Sequence, residues 1–126
     1  MLKKVISYKD YDGNERIETF YFNISRTEAV EMEVSEAGGY ELFLQKIVDE
    51  KDNKKLIEYF KKFILLAYGE KSADGKYFVK NQAISDAFSH TEAYTELFIE
   101  LVNDANVAAA FVSGVLPKEP VITPKN

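Results

Sequence analysis

Few residues of this chain are suited to acid–base chemistry, and their spacing does not build a catalytic site. His90 is the single histidine, and it lies in the polar stretch Ser89–Glu92, which is typical of the start of a helix. A general acid or base needs a positioned partner and a pKa near the working pH, and this spacing provides neither. The absence of cysteine removes thiol nucleophiles, disulfides and Cys-based zinc sites. We therefore predict a binding protein with no catalytic residue rather than an enzyme.

The acidic run Asp10–Glu15 begins like a calcium-binding loop but does not continue as one. An EF-hand loop requires glycine at its sixth position and glutamate at its twelfth, where this sequence has Glu15 and Tyr21. A hairpin turn is the better interpretation of the run. The sequence also contains neither the P-loop motif nor the GxGxxG motif that bind phosphates. We predict no metal ion and no cofactor.

Charge excludes two further classes of partner. The chain has 16 basic and 21 acidic residues, a net charge of −5, so nothing in the overall charge attracts a nucleic acid or an anionic membrane. Glu58 lies three or four residues from four members of the main basic cluster, which we interpret as a solvated helix face. The cluster consists of Lys51, Lys54, Lys55, Lys61 and Lys62.

Hydropathy predicts a soluble, cytoplasmic domain. The longest apolar run, Phe63–Tyr68, is much shorter than the roughly 20 residues that span a bilayer. The N-terminus lacks the apolar region and the cleavage site of a secretory signal. A length of 126 residues predicts one hydrophobic core.

Residues 4–24 have the pattern of a β-hairpin, with β-branched and aromatic residues on both sides of a turn. A two-residue turn at Asp12-Gly13 would place like charges opposite each other. We therefore favour a turn at Gly13-Asn14, which sets Lys9 opposite Glu18 and Val5 opposite Phe22. In this register Val5 shares one face of the hairpin with Phe20, Phe22 and Ile24.

Residues 25–116 are predicted to form about six short helices. Ser25 and Glu28 form a capping box for the first of them, which should end near Gly38-Gly39. An amphipathic helix follows through Tyr40–Val48, and a longer one over Lys54–Tyr68 should have Gly69 as its C′ residue. The second half of this longer helix is apolar on every side, which indicates burial at the centre of the fold or in an interface.

The remaining helices are predicted from their capping residues. After a turn at Asp74-Gly75 and a short extended stretch at residues 77–79, Asn81 can cap a brief helix. The next helix begins at Thr91, or at Ser89 with Glu92 as a capping box. The last begins at Asp104 and is ended by Gly114 and Pro117.

The predicted fold class is α+β and mostly helical. Residues 1–116 should form a single folded domain, because no apolar periodicity continues beyond Leu116. All three prolines lie in residues 117–126, which are predicted to be an extended or disordered tail. Nine Phe and eight Tyr make up 13% of the chain. So many aromatic residues can all belong to the core, or some of them can form a contact surface in addition to the core.

One block of the sequence resembles a known family. The stretch Leu66–Lys80, together with Phe88–Tyr94 and the following Leu97-Phe98, resembles the tail assembly chaperones of long-tailed bacteriophages and prophages of Gram-positive hosts. Ala108, Phe111 and the ending Gly114–Pro117 continue the pattern, so that the resemblance covers residues 15–117. The block is a family pattern and not a catalytic motif.

The resemblance implies a role in assembly. It implies a protein of the bacterial cytoplasm that coats the tape-measure protein while the tail tube polymerises and that is absent from the finished virion. A second copy of the chain and the tail tube protein are further candidate partners. The alternatives are a structural protein of the virion, such as a tail-tube or head–tail connector subunit, and, least favoured, a small enzyme.

On the chaperone interpretation, part of the aromatic surplus forms a contact patch for the apolar tape-measure chain. The other interpretation of each candidate is that it belongs only to the core. The five candidate partner-binding residues are Phe60, Phe63, Tyr68, Tyr94 and Phe98.

Overall fold

A computed structural model describes residues 1–35 and 53–117, which form an antiparallel four-stranded sheet and five helices. The α+β, mostly helical fold with an N-terminal hairpin is confirmed, while the helix predicted through Tyr40–Val48 and the tail beyond residue 117 lie outside the described residues. The sheet order is β1-β2-β3-β4. In chain order the elements are β1 (Leu2–Lys9), β2 (Glu15–Phe22), α1 (Arg26–Ser35), α2 (Asn53–Ala67), β3 (Tyr68–Lys71), β4 (Phe78–Val79), α3 (Gln82–Ser89), α4 (Glu92–Asn103) and α5 (Ala105–Val115).

The register of the β1–β2 hairpin differs from the prediction. Lys9 lies opposite Glu15 rather than Glu18, so the two-residue turn at positions 13 and 14 is wrong, as is the alternative at positions 12 and 13. The strands are joined by a longer loop. The observed pair has opposite charges, so it meets the electrostatic criterion that the sequence analysis applied to the wrong register.

Asp10 organises this longer loop. Its backbone amide donates to the carbonyl oxygen of Asn14 at 2.9 Å, and Gly13 has φ +84°, the left-handed conformation that closes a three-residue hairpin loop. The Asp10 carboxylate accepts from the Arg16 side chain at 2.6 Å and from the amides of Asp12 and Asn14. The hydrogen bond from Arg16 is the main reason that the pKa of Asp10 lies below its usual value, and the two backbone hydrogen bonds lower it further. An aspartate side chain that satisfies loop amides therefore selects the loop.

The change of register also exchanges the two faces of β1. Val5 lies opposite Thr19 and not Phe22, so the prediction that Val5 faces the core is wrong. Val5 is 58% exposed, whereas the neighbouring Ile6 is 5% exposed. The predicted and observed registers differ by an odd number of residues, and such a slip turns every side chain to the opposite face of a strand.

Side-chain caps set the starts of four helices as predicted. The Ser25 amide donates to Glu28 Oε1 at 2.9 Å and the Glu28 amide to Ser25 Oγ at 3.1 Å, which completes the capping box of α1. Asn81 caps α3, Asp104 caps α5, and Thr91, rather than Ser89, is the N-cap of α4. Each of these oxygens satisfies an amide that the helix itself leaves without a partner.

The end of α2 differs from the prediction. The helix ends at Ala67, and Tyr68 begins β3, where Gly69 pairs with Tyr21 of β2. Gly69 is therefore a strand residue and not a C′ residue, and its φ is not positive. A Cβ atom at Gly69 would lie 2.7 Å from the ring of Phe78 and from Cγ of Lys80. Glycine is required here for the close approach of two strands, a role that glycine often has inside a sheet.

Replacing Gly69 with Ala is expected to lower the free energy of unfolding by about 1–3 kcal/mol, the usual cost of overpacking. The Lys80 stem cannot simply withdraw, because its Nζ is held by hydrogen bonds at the far end. Urea denaturation measures the change. Glu70→Ala, at the next and exposed position of the same strand, should change stability by no more than about 0.5 kcal/mol. Equal stability of Gly69→Ala and wild type would contradict the close approach.

In the described residues a hydrophobic core joins the inner face of the sheet to the helices. Gly114 lies inside α5, which ends at Val115, and its backbone packs against the side chain of Leu2. The Ile24 amide donates to the Val115 carbonyl oxygen at 3.1 Å, so the last helix is fastened to the segment that follows the hairpin. Among the described residues the fully or nearly fully buried large side chains are Phe22, Phe63, Ile24, Ile64, Leu97, Leu101 and Val115.

Candidate binding surface

The polar groups singled out by the sequence do not gather into a chemical site. In the described ranges no group of three His, Cys, Asp or Glu side chains could hold a metal ion. His90 is exposed, and its carbonyl oxygen accepts a hydrogen bond from the Tyr11 hydroxyl at 3.1 Å. Its observed contact therefore anchors the hairpin loop to the junction between α3 and α4.

Within residues 1–35 and 53–117, no single helix is long and apolar enough to cross a membrane. Helices α4 and α5 reach the necessary length only together, and they meet at an angle of 116°.

Two of the five candidate contact residues are placed in the core. Phe63 on α2 is fully buried, and its ring meets that of Phe111 edge-on at 6.1 Å. Phe60, one turn earlier, is 6% exposed. Neither side chain offers a partner appreciable surface in this conformation. In the second half of α2, Phe63, Ile64 and Ala67 are buried while Leu65 and Leu66 are partly exposed, so this half of the helix packs into the core on one side.

The other three candidates lie together at the surface and are partly exposed. Tyr68 stacks on Phe88 with ring centroids 3.9 Å apart, and Phe88 meets Tyr94 edge-on at 5.7 Å. Tyr94 in turn lies 6.3 Å from Phe98, one turn further along α4. The fold thus brings together side chains that are separated by up to thirty positions in the sequence.

Two strand residues that the sequence analysis did not select extend this group. The Phe20 ring lies 5.5 Å from Phe88, and the Tyr8 ring lies 6.3 Å from Phe20. Both side chains are partly exposed and stand at even-numbered positions of the hairpin, on its inner face. The correct register would have shown that they share a face. We call the whole group the aromatic band, which consists of Tyr8, Phe20, Tyr68, Phe88, Tyr94 and Phe98.

The aromatic band is uncharged at neutral pH. Burial raises the pKa of the Tyr94 hydroxyl, and it is also the main reason that the pKa of Tyr68 is raised, with Glu70 and Glu18 as lesser causes. The Tyr8 hydroxyl donates to Glu18, and this hydrogen bond, more than any other cause, raises the pKa of Tyr8. All three phenols therefore stay protonated, and the rings of the band carry no charge of their own.

The sequence block that carried the family resemblance has a structural explanation. Between β3 and β4, Ser72 donates to Asp74 at 2.7 Å and accepts from the Tyr77 amide at 3.0 Å, while Gly75 has φ +79°. The Asp74 carboxylate also accepts the Lys76 amide, and these hydrogen bonds lower its pKa. The residues of this turn therefore fix a tight β3–β4 connection.

Lys80 ends the block and clamps three segments together. Its Nζ donates to the carbonyl oxygens of Asn23 at 2.7 Å and Leu66 at 3.0 Å, and it lies 2.5 Å from Glu28 Oε2. It thus joins the end of α2 and the β2–α1 connection to the capping box of α1. The block therefore positions Tyr68 and its neighbours.

The described residues thus form an α+β fold that presents an aromatic band at its surface. Over residues 1–123 the chain matches a family model described as a phage tail assembly chaperone, and it belongs to this family. The role that this description gives is one of assembly rather than catalysis. No curated protein and no solved structure matches the chain significantly.

Proposed function

We propose that this protein binds the tape-measure protein of a long-tailed phage or prophage of a Gram-positive host and keeps it soluble while the tail tube assembles. It would act in the bacterial cytoplasm and be absent from the finished virion. The membership of the chaperone family supports the assembly role. The observation that carries the choice of partner is the aromatic band.

The band has the chemistry that such a partner requires. A long helical chain that is still outside the tail tube exposes apolar surface and tends to aggregate. Amphipathic helices dock their apolar face into grooves lined by aromatic and aliphatic side chains. Tyr8, Phe20 and Tyr68 provide partly exposed rings in a row. The partly exposed ring of Phe98 is linked to this row through Phe88 and Tyr94. The net charge of −5 would keep the resulting complex in solution.

We also propose that residues 1–116 form the binding domain and that 117–126 form an extended tail. This division is supported by the last described helix, which ends at Val115, and by the three prolines that follow it.

Co-expression with the long tail protein encoded nearby tests the proposed function. The chaperone should raise the soluble yield of that protein and co-purify with it through gel filtration. The contact variant is Phe98→Ser, which removes one ring from the aromatic band. We expect its affinity to fall about tenfold, as for an aromatic contact residue of an interface.

The matched control is Ile99→Ser at the adjacent position of α4. Ile99 is 46% exposed and lies beside the outer edge of β1, away from the band. Its replacement should leave binding unchanged. If the long protein is equally soluble alone and forms no complex, the proposed function fails. If both variants bind equally well, the surface has been assigned wrongly. Recovery of the protein in purified particles would favour a structural protein of the virion.

A further inference from the structure

Tyr94 carries a buried hydroxyl with no hydrogen-bond partner. Among side-chain nitrogen and oxygen atoms of the described residues, its Oη is the one that is both buried and unpaired. A buried phenol in proteins normally finds a partner, because leaving it unpaired costs the full desolvation of the group. Such an atom in a folded protein therefore requires an explanation.

The free fold gains nothing from this hydroxyl. The Tyr94 ring packs between Phe88 at 5.7 Å and Phe98 at 6.3 Å, and a phenylalanine ring would make the same contacts without the cost. The backbone at this position is well fixed, because the Tyr94 amide donates to the Thr91 cap at 3.2 Å. Only the side chain is free to relieve the unpaired hydroxyl, by rotation about its Cα–Cβ bond.

We propose that the Tyr94 side chain turns outward when the tape-measure segment binds, and that an apolar side chain of that segment takes its place between Phe88 and Phe98. This inference rests on the proposed function. Turned outward, the hydroxyl is hydrogen-bonded by water or by an acceptor on the partner. The space it leaves has aromatic walls, which suit an apolar side chain such as leucine and not a charged one.

The cost of the unpaired hydroxyl makes this opening easier. The apparent affinity of a ligand that binds only the open state is reduced by the free energy needed to populate that state. The unpaired hydroxyl destabilises the closed state and so reduces that free energy. Tyr94 would thus set how readily the middle of the aromatic band accepts its partner, while the other rings of the band contribute by contact alone.

Tyr94→Phe tests the proposal because it removes the hydroxyl and keeps the ring. The variant should unfold at a higher temperature than wild type, since the closed position loses its unpaired group. It should also bind the purified apolar tape-measure segment about tenfold more weakly, because the closed state has become more favourable. Thermal unfolding and isothermal titration measure the two effects.

The control is Tyr77→Phe, which removes an exposed hydroxyl outside the aromatic band and should change neither quantity. A lower unfolding temperature for Tyr94→Phe would show that the hydroxyl is hydrogen-bonded in the free protein and would overturn the inference. Equal binding by Tyr94→Phe and wild type would overturn it as well. Absence of binding by the wild type is a different result, since it refutes the proposed function itself and, with it, the inference.

Discussion

Replacement of Phe63 by Ala is expected to lower the free energy of unfolding by about 3–5 kcal/mol. Phe63 has no exposed surface and packs edge-on against Phe111, which joins α2 to α5. Removal of the ring loses its burial and leaves a cavity that the surrounding rings and helices cannot fully close. Chemical denaturation of the purified domain provides the measurement.

Ile57→Ala, on the same helix, is the control for this substitution. Ile57 is 40% exposed, and its truncation should cost less than about 1 kcal/mol. The same small cost for Phe63→Ala would place Phe63 outside the core and return it to the contact surface. A large loss of stability in both variants would show that α2 tolerates no truncation of an apolar side chain. The burial of the Phe63 ring would then not explain the loss in Phe63→Ala.

Lys80→Met is expected to lower the free energy of unfolding by about 2–3 kcal/mol. The methionine keeps the apolar stem but leaves the carbonyl oxygens of Asn23 and Leu66 without their donor, and Glu28 without its cation. Hydrogen bonds to a charged group contribute about 1.5–3 kcal/mol each, and the Lys80 side chain is only 19% exposed. Equilibrium unfolding in urea measures the loss.

A double-mutant cycle separates the parts of this clamp. Glu28→Gln alone, and together with Lys80→Met, gives the coupling between the two side chains. We expect a coupling well below the full effect of Lys80→Met, since the two carbonyl oxygens account for the rest. Lys76→Met, which replaces an exposed lysine in the β3–β4 connection, should change stability by less than about 0.5 kcal/mol. A similar loss at both lysines would show that the clamp contributes nothing specific.

The sequence alone was sufficient for the helix caps. The capping box at Ser25 and the caps at Asn81 and Asp104 were predicted from residue type and spacing, and all of them are present. A cap is decided within four residues, so it needs no information about the rest of the fold. The fold class followed from such local patterns and is confirmed by the structure. The family match over residues 1–123 supports the resemblance to phage tail assembly chaperones.

Only the tertiary structure decided which residues meet. The strand at Gly69 depended on Phe78 and Lys80 approaching from another element. The hairpin register, by contrast, was set by local hydrogen bonds of Asp10, which a comparison of cross-strand charges alone did not reveal. The aromatic candidates looked alike in the sequence, yet Phe63 is buried while Phe98 is partly exposed beside Tyr94. Periodicity identifies an apolar residue, but whether that residue faces the core or a partner depends on what packs against it, and this is determined by contacts between elements that are distant in the chain.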